Sequence, residues 1–208
     1  KLKVDCIYRR LDDTFMDPKA FFKGSLIGVP GLFKAWRKGN VGILNAPGTG
    51  IADDKAIYSY VDKMIVYYLG EQPKIQQVET LLCSEKIHRE HVIENISKFV
   101  VKPTNGSGGN GILIGPHASK KNREEMKKNI LKNPRNYIAQ PLEILSTTPT
   151  ITDNSIEPRH LDLRPFVLSG KSTWVTTGGL TRVALKKGST IVNSSQGGGS
   201  KDTMIIDM

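Results

Sequence analysis

A lysine that leaves an apolar strand and enters a glycine-rich turn is the feature of this sequence best suited to chemistry. Lys102 follows Val100 and Val101, and the turn 103–111 holds four glycines before an apolar strand resumes at Ile112. Glycine lets backbone N–H groups approach an anion, and the lysine ammonium adds a charge-assisted hydrogen bond. The loop therefore predicts a phosphate-binding β-hairpin, with a flexible surface hairpin as the alternative. It is neither a P-loop, since no Gly-Lys-Ser/Thr follows, nor a Rossmann turn, since a strand follows instead of a helix.

The composition predicts a folded, basic chain. Of its 208 residues, 38% are hydrophobic and 24% are charged, which is enough to form one domain with two lobes or two small domains. The net charge of +10 favours an anionic partner, which can be a nucleotide, a nucleic acid or an acidic substrate. Much of this charge lies in 120–132, which predicts an amphipathic helix with Met126, Ile130 and Leu131 facing inward.

The sequence lacks a membrane-spanning segment and a cysteine pattern that would indicate a metal site or a disulfide. No apolar run is long enough to cross a bilayer and no leader opens the chain, which predicts a cytoplasmic protein without a membrane partner. Cys6 and Cys83 each lie in an apolar stretch without metal-ligand spacing, so both are predicted to be buried thiols. The chain starts at Lys1 without an initiating methionine. We therefore expect it to be a piece of a longer protein.

Hydrophobic periodicity predicts a chain of mixed helices and strands. Strands are predicted at 4–8, 41–44, 78–83, 98–102, 112–114, 137–142, 161–168, 172–177 and 191–193. Helices are predicted at 31–38, at 51–68, from residue 84 onward and at 120–132. The glycine pair 178–179 predicts a turn, and 146–158 predicts a polar connecting loop.

Two arginines in the second half of the chain are further candidates for anion binding. Asp162 and Arg164 share one face of a predicted strand, and Leu163 between them is predicted to face a core. Arg182 follows the predicted 178–179 turn, where its planar fork can reach a phosphate oxygen. Surface or cross-strand salt bridges are the alternative for both arginines.

A late segment, 193–202, combines small hydrogen-bond donors. It joins Asn193 to two serines, three consecutive glycines, a further serine and Lys201. Amide, hydroxyl and backbone donors of this kind suit an anion or an acyl-phosphate. The alternative is a disordered Gly/Ser linker.

Taken in order, these segments resemble the circularly permuted ATP-grasp proteins. The resemblance covers nearly the whole chain and rests on the order of its parts, which are the Asn-Ala-Pro-Gly-Thr-Gly-Ile-Ala-Asp-Asp-Lys stretch at 45–55, the Lys102-Pro103 glycine loop, Tyr-Ile-Ala-Gln-Pro at 137–141, Asp-Leu-Arg-Pro-Phe-Val at 162–167, and 193–202. It implies an α+β fold, here incomplete, whose two lobes clamp ATP with the glycine-rich hairpin as a closing flap.

The resemblance also implies roles for single residues. Lys55 and Lys102 match lysines that contact the α- and β-phosphates of ATP. Gln140 and Leu142 match the ends of the interlobe hinge that binds adenine through its backbone. The flap residues are Gly106, Ser107, Gly108, Gly109 and Gly111. The residues matched to catalysis, of which the arginines would face the γ-phosphate or an acyl-phosphate, are Arg164, Arg182 and Asn193.

Domain boundaries and the metal site follow from the same resemblance. It implies a pre-ATP-grasp-like segment at 1–50, a nucleotide-binding lobe with the flap at 51–145, and a second lobe at 146–208. ATP-grasp enzymes hold Mg²⁺ with carboxylates that include a Glu-x-Asn pair, and this sequence has no Glu-x-Asn. In the permuted proteins that strand precedes the segment present here. Most Mg²⁺ ligands are therefore expected outside this chain, no metal ligand is assigned within it, and the chain alone is expected to be inactive.

The implied activity is carboxylate–amine ligation. The γ-phosphoryl group of ATP passes to a carboxylate, and an amine attacks the resulting acyl-phosphate to form an amide or peptide bond. Positioning and charge neutralisation carry such phosphoryl transfer, which suits a chain rich in lysine and arginine. The expected partners are ATP, a carboxylate substrate, an amine substrate and the remainder of the longer chain. The segment 8–13, Tyr-Arg-Arg-Leu-Asp-Asp, is either a substrate contact or a solvated charged turn.

Three other classes compete with a ligase. A catalytically silent ATP-grasp scaffold or partner-binding domain remains open, because a fold does not guarantee a function. A basic nucleic-acid-binding module would use the same charge, but aromatic residues make up only 7% and do not interleave with the basic clusters. A Ser-His-Asp hydrolase fits poorly, since the histidines are scattered and no Gly-x-Ser-x-Gly is present. His160, beside Asp162, is the one histidine expected near the site.

Overall fold

The structure, a computed structural model, describes residues 2–106, 109–152, 155–189, 192 and 198–204. Its mixture of helices and antiparallel sheets confirms the α+β class. The chain divides into one unit of Lys1–Asn105 with Gly111–Pro141 and a second of Gly106–Asn110 with Leu142–Met208. No helix in the described ranges is long and apolar enough to span a bilayer. The domain boundaries predicted above stay a prediction.

The first unit contains six helices and six strands among its described residues. In chain order they are β1 (Cys6–Tyr8), α1 (Asp13–Met16), α2 (Leu32–Arg37), β2 (Gly42–Leu44), α3 (Lys55–Tyr58), α4 (Val61–Leu69), β3 (Leu81–Leu82), α5 (Lys86–Glu94), β4 (Phe99–Pro103), β5 (Leu113–Ile114), α6 (Lys120–Lys132) and β6 (Tyr137–Pro141). Short 3₁₀ turns lie at Thr49–Asp53, Ile96–Lys98, Gly115–His117 and Pro134–Asn136. The strands form a parallel β1–β2 pair and a four-stranded antiparallel sheet in the order β3-β6-β4-β5.

One face of the four-stranded sheet carries the main core of the first unit. Val101 of β4 lies opposite Ala139 of β6, and both are fully buried. They pack with Val92 of α5 and Ile130 of α6, whose apolar stripes close over this face. Because side chains alternate along a strand, the neighbours of Val101 and Ala139 point to the other face.

That other face is only partly covered. Ile138 of β6 packs there with Leu82 of β3 and Ala56 of α3. Lys102 and Gln140 share the face with Ile138, because Lys102 pairs with Ile138 across the strands and Gln140 follows it by two residues. The sheet therefore places a lysine and an amide beside a small apolar cluster, on the side away from the main core.

A buried carboxylate organises the segment 17–33. Asp17, 1% exposed, accepts hydrogen bonds from the backbone N–H groups of Lys19 (2.8 Å), Gly31 (2.9 Å) and Phe33 (3.0 Å). Burial opposes ionisation, yet these donors hold the pKa of Asp17 below its usual range. The loop between α1 and α2 is thus fixed at both ends by one side chain.

The second unit is a four-stranded antiparallel sheet in the order β10-β9-β8-β7. Its strands are β7 (Thr147–Ile151), β8 (Ile156–Ser169), β9 (Thr173–Ala184) and β10 (Gly198–Asp202). The long β8–β9 hairpin has an irregularity between Pro165 and Val167. The predicted strand at 191–193 lies mostly outside the described residues, as does Asn193.

The predicted continuous helix at 51–68 is wrong, since it is a 3₁₀ turn followed by α3 and α4. Asp54 interrupts it with an extended backbone, and its side chain accepts a hydrogen bond from Ala56 N to cap α3. The backbone N–H of Lys55 donates to Thr104 O (3.1 Å), a tertiary contact that helical periodicity does not reveal.

Two predictions of irregular structure in the second unit are also wrong. The segment 146–158 is mainly the β7–β8 hairpin, since β-branched threonines favour a strand and Pro149 is tolerated on the edge strand β7. Gly178 and Gly179 form no turn but lie inside β9. A Cβ at Gly179 would lie 3.1 Å from Arg164 O, so glycine allows close approach of β8.

Three side chains predicted to be buried are exposed. Leu131 lies one residue beyond Ile130, which turns it away from the core face of α6. Leu163 lies in the second unit, where no described helix covers the sheet. Cys6 is exposed because Gly42 opposite it in β2 has no side chain to cover it. Cys83 is buried as predicted, and burial raises the pKa of its thiol to about 11.

Candidate functional site

Lys102 is held in place by a chain of side-chain hydrogen bonds. Its Nζ donates to Gln140 Oε1 (2.7 Å), and Gln140 Nε2 donates to Thr80 Oγ1 (2.8 Å). The Thr80 hydroxyl in turn donates to Val78 O (3.0 Å). A lysine ammonium has three donors, so the bond to Gln140 orients the group and leaves donors directed elsewhere. The hydrogen bonds from Val78 to Lys102 fix a cation on the face of the sheet away from the main core.

The ammonium of Lys102 is poorly solvated and lies near a second cation. Desolvation, with a contribution from the charge of Lys55, lowers the pKa of Lys102. A cation in this state gains more from an anionic ligand than a fully hydrated surface lysine does, because part of its desolvation cost is already met. The site is therefore prepared to bind negative charge.

Lys55 is positioned by the start of α3. Asp54 caps this helix, and its carboxylate also binds Arg135 Nη2 (2.8 Å). Burial opposes ionisation, but the hydrogen bond from Arg135 helps to hold the pKa of Asp54 below its usual range. With the Lys55 N–H bound to Thr104 O, the first turn of α3 is tied to the end of β4. The structure thus brings together Lys55, Lys102 and Gln140.

The predicted hairpin after Lys102 is confirmed, because β4 and β5 pair in antiparallel register. Gly106 (φ 119°), Gly109 (φ 83°) and Gly111 (φ 72°) all have positive φ, which glycine adopts without strain. A Cβ at Gly111 would lie 3.0 Å from Pro103 Cγ. Ser107 and Gly108 lie outside the described residues. The role of this hairpin as a closing flap stays a prediction.

The two candidate arginines lie in the second unit. Arg164 Nη2 donates to Asp162 Oδ2 (2.9 Å), so the pair joins residues of the same strand. Asp162 is also the register partner of Arg182 in β9. Asp162 thus binds Arg164 within its own strand and lies opposite Arg182 in the register of β8 and β9. Leu142 is the first residue of this unit after β6.

Arg9, in the candidate substrate segment 8–13, has a structural role. Its guanidinium donates to Asn45 O (2.5 Å), Leu11 O (2.5 Å) and Ala46 O (2.9 Å), and it forms a salt bridge with Asp13. These contacts fasten the loop after β2 to the end of β1. The side chain of Arg9 is therefore engaged by the protein itself and is unsuited to a substrate contact.

Two further candidate groups can be assigned from their contacts. His160 Nδ1 lies 2.7 Å from Leu145 O, so this imidazole is engaged with the backbone. Within the described ranges, no group of three or more His, Cys, Asp or Glu side chains is placed to hold a metal ion. These described residues do not fit a Mg²⁺ site, and we assign no reaction step to a metal held by them.

Thr80 is a site residue that sequence reasoning missed. It precedes β3 and has no motif of its own, but its hydroxyl accepts from the Gln140 amide that holds Lys102. The signal lies only in the sheet register, which places Thr80 near the strand β6 that follows it by some sixty positions. A local pattern does not reveal such a contact.

The sequence is similar to parts of several longer, curated proteins. An uncharacterised protein of Synechocystis sp. is 53% identical over 205 residues, which cover 98% of this chain and 43% of that protein. An uncharacterised protein of Mycobacterium tuberculosis is 51% identical over 98% of this chain and 37% of its own length. A protein of Frankia casuarinae named "Putative glutamate--cysteine ligase 2-2" is 47% identical over 99% of this chain and 24% of its own length. The chain thus spans less than half the length of these relatives.

The family assignment agrees with the order of the segments described above. The sequence model for circularly permuted ATP-grasp type 2 proteins matches residues 1–184, which include Lys55, Lys102, Gln140 and both candidate arginines. A match over this much of the chain, together with identities near 50% to the longer relatives, is sufficient for a family assignment. The chain belongs to the circularly permuted ATP-grasp type 2 family.

Proposed function

We propose that this chain forms the nucleotide-binding part of an ATP-dependent carboxylate–amine ligase. Membership of an ATP-grasp family supports ATP as the nucleotide. The name of the Frankia casuarinae relative describes an enzyme that joins a carboxylate to an amine, which supports amide formation as the reaction class. The carboxylate and amine substrates of this protein are not named by that similarity.

The observation that carries the proposal is the desolvated, oriented ammonium of Lys102. The ammonium, held by Gln140, and the nearby charge of Lys55 create a small region of positive potential on the face of the sheet away from the main core. Phosphate oxygens relieve both the desolvation and the repulsion between the two lysines. We assign Lys55 and Lys102 to the α- and β-phosphates of ATP.

The remaining predicted residues complete the proposed nucleotide site. The hairpin glycines Gly106, Gly109 and Gly111 would direct backbone N–H groups to the triphosphate, with Ser107 and Gly108 between them. The backbone from Gln140 to Leu142 would contact adenine. We keep the segment boundaries 1–50, 51–145 and 146–208 as part of this proposal, with Mg²⁺ held mostly by residues outside this chain.

In the proposed reaction ATP supplies a transferable phosphoryl group. Arg164 and Arg182, with Asn193, would face the γ-phosphate and the carboxylate oxygen that attacks it. The oxygen–phosphorus bond formed gives an acyl-phosphate, and ADP leaves. Attack by an amine then forms the amide and releases phosphate, so that the chain acts by positioning and neutralising charge.

The proposal is tested by comparing two lysines in the intact protein. Lys102→Met removes the ammonium but keeps the length of the side chain. Lys127→Met is the matched control, because Lys127 lies on α6 and binds Glu124 (2.9 Å) away from the candidate site. A charge-assisted phosphate contact is worth about 1.5–3 kcal/mol, so Lys102→Met should weaken ATP binding by about tenfold or more in calorimetry.

The control should bind ATP within about twofold of the wild type, because Lys127 is already paired with Glu124 and a screened charge contributes little to a distant site. Circular dichroism should show both variants folded. Equal affinities for ATP in the two folded variants would contradict the assignment of Lys102 to the phosphates.

A further inference from the structure

A rigid apolar loop projects from the first unit. Leu26 is 98% exposed, Ile27 is 68% exposed and Val29 is 57% exposed. We call these three residues the apolar prong. Single exposed aliphatic side chains are common, but three within four positions place a strongly apolar stretch of one loop on the surface.

The loop that carries the prong is fastened on both sides. Asp17 binds the backbone of Lys19, Gly31 and Phe33, which spans the loop from end to end. Buried Ser25 donates through Oγ to Phe15 O (2.6 Å) and accepts from Gly28 N (3.1 Å).

Gly28 packs so closely that a Cβ there would lie 2.1 Å from Phe15 O. Val29 N also donates to Met16 O (3.0 Å). The prong is thus exposed on a backbone that α1 holds directly, and not on a loose loop. A surface ordered in advance loses little conformational entropy when a partner covers it.

Along the chain, the charged residues on either side of the prong are all basic. Between residues 18 and 52 the sequence has no aspartate or glutamate. It has five cations there, which are Lys19, Lys23, Lys34, Arg37 and Lys38. Each of these five residues is exposed. An exposed apolar segment flanked along the chain by exposed basic residues fits a partner whose pocket is apolar and whose rim is acidic.

We propose that the apolar prong docks into an acid-rimmed apolar pocket on the further polypeptide that the longer relatives possess. Those relatives are more than twice the length of the matched region, so they have the additional chain that such a pocket requires. The prong serves as a preformed plug between this region and that further polypeptide. The inference concerns assembly of the protein and stands whether or not ATP binds at Lys102.

The test measures whether Leu26 is covered in the intact protein. Leu26→Cys and Ile27→Cys are made in a background where Cys6, which is exposed, and any other accessible cysteine are serine; Cys83 is buried and its raised pKa keeps it unreactive. Ile87→Cys is the matched control, because Ile87 is an exposed aliphatic residue of α5 outside the loop.

A neutral maleimide should label the two prong cysteines at least about tenfold more slowly than the control, which corresponds to about 1.4 kcal/mol of protection. Adding Lys19→Glu and Lys23→Glu to Leu26→Cys should restore fast labelling, because the rims then repel each other. Equal labelling of prong and control cysteines overturns the docking. Protection that is unchanged by the two glutamates overturns the acidic rim. Fast labelling that becomes slow only with phosphatidylglycerol vesicles would assign the prong to a membrane surface instead and also overturns the proposal.

Discussion

At the scale of single residues, the candidate site depends on how Lys102 is oriented. A lysine side chain has many rotamers, and the hydrogen bond to Gln140 selects one of them for Lys102. Gln140 is itself fixed by Thr80, so that the orientation is set two side chains away from the cation. The Thr80–Gln140–Lys102 hydrogen bonds thus orient the ammonium toward a ligand that Thr80 itself does not contact.

We expect Gln140→Ala to weaken ATP binding about three- to tenfold, since one hydrogen bond contributes about 0.5–1.5 kcal/mol. The double variant Lys102→Met/Gln140→Ala should bind no more weakly than Lys102→Met alone, because the amide acts through the lysine. Additive losses, measured by calorimetry in a double-mutant cycle, would mean that Gln140 contacts the nucleotide independently.

Asp17 gives a prediction about stability and pH. Its carboxylate accepts three backbone N–H bonds, so Asp17→Asn should lower the free energy of unfolding by about 2 kcal/mol at pH 7. Because the folded pKa is depressed, this contribution is fully present above the unfolded value of about 3.9 and is lost as pH falls through the folded pKa.

Urea unfolding of wild type and Asp17→Asn at pH 7 and pH 3 provides the measurement. The difference in the free energy of unfolding between the wild type and Asp17→Asn should be smaller at pH 3 than at pH 7. A gap that stays constant between the two pH values would show that the ionised carboxylate is not the stabilising form.

The sequence predicts single residues well where a local pattern determines their surroundings. The sequence predicts Lys102 on a strand before a glycine hairpin, because apolar residues flank both sides of the loop, and β4 and β5 confirm that hairpin. A local pattern does not reveal Thr80 and leaves segment 8–13 open as a substrate contact, because Thr80 and Arg9 have partners far away in sequence. Hydrogen bonds of that kind depend on the register of the sheet, which composition and spacing do not specify.

At the scale of elements, a cap outweighs hydrophobic periodicity. The apolar pattern of 51–68 continues smoothly, but Asp54 and the Lys55–Thr104 bond stop one helix and start another. Glycine was equally ambiguous in the second unit, where Gly178 and Gly179 mark close strand approach and not a turn. In both places a tertiary contact decided between structures that the local sequence allows.

The hairpin glycines offer a test at this scale. Gly111→Ala imposes a side chain at φ 72° and crowds Pro103, so we expect the hairpin to shift and ATP affinity to fall at least about threefold. Gly39→Ala is the matched control, because Gly39 has φ 71° and open space around its Cβ position. Both variants should lose about 1 kcal/mol or more of stability from positive φ.

Only Gly111→Ala should also change nucleotide binding, as measured by calorimetry on the folded proteins. If Gly111→Ala and Gly39→Ala bind ATP equally well, the hairpin is a passive surface loop.

At the scale of the whole molecule, the candidate cationic residues are divided between two units. Lys55 and Lys102 belong to the first, and Arg164 and Arg182 to the second. In the proposed ligase the first pair would bind the nucleotide and the second would act on the transferred phosphoryl group. Residues of both units would then be needed for turnover. The lysines of the first unit would suffice for part of the affinity for ATP.

We expect residues 1–208 alone to bind ATP weakly and to release no ADP, because the Mg²⁺ ligands are expected elsewhere in the longer protein. Magnesium should strengthen ATP binding strongly in the longer protein and little in this segment. Titrations with magnesium or chelator, beside an ADP-release assay over carboxylates and amines, make the comparison. Magnesium-dependent ADP release by the segment alone would show that it holds a working metal site.

The strand order of the first unit has a consequence for its biosynthesis. The inner strand β6 is the last strand of the four-stranded sheet to be translated. β3 nevertheless pairs with the sheet only through β6. During translation, Leu81 and Val101 cannot complete their buried cluster until Ala139 has been synthesised. The nascent chain therefore exposes apolar strand segments until β6 has been synthesised. Chaperones would protect it from aggregation most effectively during that interval.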